Sequence, residues 1–109
     1  MKAQLELAAL RRINRLAELW DEGGQTLVYL PSMKVRHNDG TVTVDGLLCP
    51  RNHSSYTTRL FLSQPFSNRG QNWTVHQIMG RAWHAMSFNN VPASLPWTEI
   101  LANHLGQLK

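Results

Sequence analysis

Residues 72–108 read NWTVHQIMGRAWHAMSFNNVPASLPWTEILANHLGQL, and the way this stretch folds decides the architecture of the whole chain. The runs WTVHQI and RAWHAMSF are strand-like and meet at Met79-Gly80, where glycine tolerates the positive φ of a tight turn. The spacing predicts two further strands, or one strand and an irregular excursion, followed by a Pro-containing loop. A closing helix is then signalled by Ser94 as a cap, Pro96 in the first turn where its missing N–H costs nothing, and Glu99 near the positive end of the dipole. Trp97, Ile100, Leu101, His104, Leu105 and Leu108 recur at intervals of three and four and should turn toward the sheet. Trp73, Trp83 and Trp97 and His76, His84 and His104 all fall in this one unit, so a functional site is expected here.

Upstream, Leu5, Ala9, Ile13, Leu16 and Trp20 recur at three- and four-residue intervals, with Arg12, Arg15 and Glu18 between them. Residues from about 2 to 21 are therefore expected to form an amphipathic helix ended by Gly23-Gly24. TLVYL, interrupted by Pro31 and resumed as MKVR, reads as an edge-compatible strand, because proline offers no N–H to a central ladder. A turn at Asn38-Asp39-Gly40 pairs it with TVTVDGLL, whose Val42 and Val44 share one face. After the polar loop PRNHSS, the run YTTRLFLS supplies a third strand. The resulting expectation is a single α+β domain over residues 1–109: an N-terminal helix, an antiparallel four- or five-stranded meander, and a C-terminal helix packed on the sheet in a second layer.

Composition narrows the function classes. The chain has 109 residues, 42% of them hydrophobic, enough for one core. A lone Cys excludes an intrachain disulfide, and no charged segment followed by an apolar run opens the chain, so a reducing cytoplasm is the expected setting. No apolar run approaches the roughly 20 residues a membrane span needs. The formal charge of +4 comes from dispersed residues: Arg11, Arg12 and Arg15 lie in the first element, and Lys34, Arg36, Arg51, Arg59, Arg69 and Arg81 are scattered later. A nucleic-acid footprint would be a clustered stripe with interleaved aromatics, so a solvated basic face is the expected reading and a small basic nucleic-acid-binding module the third alternative.

Gly80-Arg81-Ala82-Trp83-His84, then Met86-Ser87-Phe88-Asn89, then Leu95-Pro96-Trp97 opening the closing helix, together with the order of elements, resemble the divergent prokaryotic relatives of the ubiquitin-conjugating enzyme fold. The resemblance covers most of the chain in layout and about 25 residues in motif. It implies a two-layer fold in which the conjugating enzymes carry a thioester on a cysteine in the loop before the closing helix. Here Trp83 falls near that position, and no Cys occurs between Pro50 and Lys109. The resemblance therefore implies a noncatalytic adaptor that binds a ubiquitin-like protein, an activating enzyme or another component of a bacterial conjugation system. Trp73, Arg81, Trp83 and His84 are its expected binding residues, and no cofactor or metal is assigned.

The rival within the same fold makes Cys49 the thioester carrier, with His53 as a base lowering its pKa. Against it, a lone Cys after the apolar Leu47-Leu48 reads as a small core residue. A metal reading draws on Cys49, His53, His76 and His84. His76 and His84 flank Met79-Gly80 and would face each other across the hairpin, while the bland alternative makes each a half-exposed strand residue. Trp20 and Trp97 are expected in helix stripes and hence in the core. Trp73 and Trp83 are open to either role, an exposed Trp beside Arg81 being a candidate anchor for a partner.

Overall fold

The structure, a computed structural model, describes residues 2–37, 40–51, 56–66, 73–86 and 91–108. Two helices, α1 (Lys2–Arg11) and α2 (Trp97–Gly106), bracket six strands: β1 (Glu18–Glu22), β2 (Gln25–His37), β3 (Gly40–Cys49), β4 (Arg59–Leu62), β5 (Trp73–Ile78) and β6 (Arg81–Met86). The strands make one antiparallel sheet in the order β1-β2-β3-β4-β6-β5. The expected four- or five-stranded meander is corrected on both counts: among the described residues there are six strands, and β4 pairs with β6 instead of β5.

The extra strand comes out of the expected first helix. That helix stops at Arg11, and Asn14 organises the exit: its Nδ2 donates to the Pro31 carbonyl at 2.8 Å and its Oδ1 accepts the Leu16 N–H at 3.2 Å. Asparagine competes with the helical backbone in this way. Beyond it, Glu18–Glu22 pairs with β2 in the register Glu22↔Gln25, so Gly23 and Gly24 form a tight hairpin turn with φ of 60° and 84°. Positive φ at both central residues is the geometry that matches the twist of a hairpin, and a Gly pair serves it as readily as it ends a helix. The buried face of α1 is correspondingly Leu7 and Leu10, while Leu5 lies in solvent.

Strand β2 lies inside the sheet, not at its edge. Proline is tolerated there because the pairing slips between Leu30 and Met33, leaving Pro31 and Ser32 in a bulge where no ladder N–H is needed. Ser32 takes φ 52°, and its N–H is held by Asp45 Oδ1 at 2.9 Å. In α2 the cap differs from expectation: Pro96 occupies the N-cap and Ser94 does not serve. The Glu6 carboxylate of α1 instead accepts the Trp97 N–H at 3.1 Å. The apolar stripe of α2 is as expected, with Trp97, Ile100, Leu101 and His104 buried.

Alternation along the strands gives the sheet two buried faces. One, with Val28, Leu30, Leu48, Leu60, Leu62 and Met86, packs beneath α1 and α2. The other collects Leu27, Leu47, Cys49, Phe61, Trp83 and Ala85. Among the described residues no helix covers this second face. The sheet coils so that β1 and β2 reach β6 across it: Trp20 stacks on Tyr29 at 4.4 Å, and both rings meet Trp83 edge-on at 6.5 and 6.4 Å. At the tips, Glu22 Oε1 accepts the Met79 N–H at 2.7 Å, tying the two hairpins together.

Candidate functional site

The expected binding residues do not converge. Arg81 and Trp83 point to the coiled face, whereas Trp73, paired with Met86, and His84, paired with Leu62, point to the helix-covered face. Trp83 has no exposed surface, and its indole N–H donates to the Ile78 carbonyl at 3.2 Å. It is a core residue on the side of the sheet away from α2, so it neither approaches the closing helix nor offers an indole to a partner. Trp73 is half-buried against Phe66, with the rings 6.3 Å apart. Arg81 lies 4.5 Å over the Trp83 ring and pairs with Asp45 at 3.1 Å. The Ser32 N–H and Arg81 together hold the Asp45 carboxyl below the usual carboxylate range.

His76 and His84 do not face each other. The turn sets the register His76↔Trp83 and Val75↔His84, one residue away from a His–His pair, and a shift of one puts the two rings on opposite faces. His76 lies on Phe61 and bonds Thr74 Oγ1 through Nε2 at 2.9 Å. Among the described residues no cluster of three or more His, Cys, Asp or Glu could hold a metal ion.

Cys49 is fully buried, its Sγ donating to the Arg51 carbonyl and accepting from Gln25 Nε2. Burial pushes the thiol pKa up, against what a thioester carrier requires. His53, the candidate base, lies outside the described residues. Opposite Cys49 stands Arg59, in the sequence only one of the scattered cations and expected on the surface, yet 2% exposed. Its guanidinium stacks at 4.0 Å on Tyr56 and donates to Thr74 Oγ1, and burial lowers its pKa.

An opening lies elsewhere, on the helix side. Where α1 ends, Leu10, Ile13 and Leu16 face the β2 bulge at Met33 and the α2 side chains Leu101 and Leu105 across a cleft of about 510 Å³. Ile13 and Leu16 are 66% and 68% exposed, unusual for aliphatic side chains standing together beside a cavity. Both charged residues that line it, Arg15 and Lys34, are cations. The helical rhythm of the sequence places Ile13 and Leu16 in a buried stripe; the signal against it is Asn14, which breaks the helix and turns its apolar neighbours outward. A smaller opening of about 340 Å³ separates the β1–β2 turn from β5, lined by Glu22, Gln25 and His76 among others.

Among the described residues, no helix is long and apolar enough to cross a membrane. Compared with protein-family models, curated proteins and solved structures, the chain matches none.

Proposed function

We propose that the protein is a noncatalytic adaptor whose cleft between α1, β2 and α2 seats an amphipathic, acid-flanked segment of a protein partner. The observation that carries this reading is the exposure of Ile13 and Leu16 at the mouth of a mostly apolar cleft. Covering such side chains removes apolar surface from water, worth roughly 25 cal/mol per Å² before the costs of association. Arg15 and Lys34 at the rim favour carboxylates on either side of the apolar anchor and disfavour a basic segment. The buried, high-pKa Cys49 speaks for binding over thioester transfer. That the partner is a ubiquitin-like protein or an activating enzyme of a bacterial conjugation system is the further part of the proposal, and it rests on the resemblance of residues 80–97. A reducing, cytoplasmic setting goes with it, because the lone thiol has no intrachain cysteine to pair with.

The test uses two labelled synthetic peptides with the same helical leucine stripe, one flanked by Glu and one by Lys. The Glu peptide is expected to bind at least about tenfold more tightly, to weaken as salt rises, and to be lost on Leu16→Asp. Equal binding of both peptides, or of neither, would sink the reading.

A further inference from the structure

The two edges of the sheet differ in what they offer a neighbour. Edge strand β1 is ELWDE, with three acids in five residues. Edge strand β5 is WTVHQI, with no Asp, Glu, Lys or Arg, no proline, and a register against β6 that runs without a bulge from Trp73↔Met86 to Ile78↔Arg81. Natural edges are normally blunted by charge, proline or a bulge, and β5 has none of these devices. On its helix-side face Val75 is 60% exposed, so α1 and α2 leave this margin uncovered.

Alternation fixes which backbone groups are free. The closing pair of a two-residue hairpin is hydrogen-bonded, so Ile78, His76 and Thr74 turn their N–H and C=O groups to β6, while Gln77, Val75 and Trp73 turn theirs to the open side. We infer that a second copy of this chain docks on the edge of β5, which no described strand pairs, antiparallel about a two-fold axis through Val75, to make one continuous sheet. Val75 then stands opposite the partner copy's Val75, and Trp73 opposite its Gln77. All of these are outward-facing residues, so each pair can exchange both its backbone bonds. The same axis sets Thr74 opposite His76 and keeps each face of the sheet on its own side, because opposed residues share parity.

Charge decides for this edge over the other. A two-fold pairing of β1 about Trp20 would set Glu18 directly opposite Glu22 of the second copy, twice, and like charges facing across strands are destabilising. Along β5 no formal charge meets another, and two chains of +4 can approach there without apposing their cations.

Sedimentation velocity of the full chain, from low to tens of micromolar, is the first test, and it should show a species of twice the chain mass. Val75→Lys sets two lysines face to face and is expected to weaken self-association at least about tenfold, with the thermal melt of the single chain unchanged. Val75→Cys should give a covalent dimer with a short bismaleimide; Cys49 is buried and does not compete. The inference is overturned if the wild-type chain stays single, including the case in which its β5 edge accepts only another protein's strand. It is equally overturned if the dimer survives Val75→Lys.

Discussion

The Thr58 hydroxyl lies 2.9 Å from Nε2 of His104, both groups buried between β4 and α2. With its single proton given to the Val91 carbonyl at 2.8 Å, the hydroxyl accepts from the histidine N–H. Through this bond His104 joins the last helix to the sheet. Burial, helped by the nearby Arg59 charge, lowers its pKa to about 4 from the usual 6.5. The unfolded chain binds a proton near pH 6.5 and the native chain only near pH 4, so the stabilisation is complete above 6.5 and disappears as pH falls toward 4. Integrated over that window it amounts to about 3 kcal/mol. Urea melts at stepped pH should show this slope, and His104→Gln should flatten it; an equally steep slope in the variant would place the titrating group elsewhere.

Glu6 caps α2 across the chain. Glu6→Ala leaves the Trp97 N–H without its acceptor and is expected to cost about 1 kcal/mol, whereas Glu6→Gln, still an acceptor, should cost less. Chemical denaturation of the two variants separates capping from a simple loss of helix propensity, since Gln and Ala are both good helix formers.

Met79 takes φ 50° in the β5–β6 turn, a conformation costly for a long side chain. Met79→Asn keeps the N–H that Glu22 accepts and supplies the residue such turns prefer. The melting temperature should rise by a few degrees, corresponding to about 1 kcal/mol.

Trp83 and Leu16 are opposites. Trp83→Ala empties the centre of the coiled face and is expected to cost about 3–5 kcal/mol, while Leu16→Asp at the cleft mouth should leave stability within about 0.5 kcal/mol. Peptide binding should respond the other way, failing in Leu16→Asp. A folded chain that loses stability on both changes would make Leu16 a packing residue.

Cys49 should react with a thiol reagent only as the protein opens. Its labelling rate under native conditions is expected to track the unfolding equilibrium across denaturant. Fast labelling of the folded chain would revive the carrier reading.

Where sequence and structure agree, the governing rule is local. WTVHQI and RAWHAM alternate around a two-residue turn, TVTVDGLL alternates, and the α2 stripe repeats at three and four, so periodicity alone locates them. Where they diverge, a second partner intervenes. Ile13, Leu16 and Trp20 continue a helical rhythm, yet Trp20 is drawn onto Tyr29 and the Gly pair closes a hairpin. Pro31 suggests an edge until a bulge excuses its missing N–H. The pairing of β4 with β6 leaves no trace in local pattern, because it is set by packing between segments far apart. The cleft is hidden for the same reason: whether Ile13 is covered depends on where α2 settles.

Because β6, and not β5, joins the rest of the sheet, the last hairpin must present its later strand to β4. Assembly by simple accretion, each strand adding to the one before it, is thereby closed to this chain. During synthesis the nascent β1–β4 unit has to wait, its β4 margin bare, until residue 86 has left the ribosome. The hairpin then docks ready-made, and the interval before it arrives is when this chain is most exposed to misassembly.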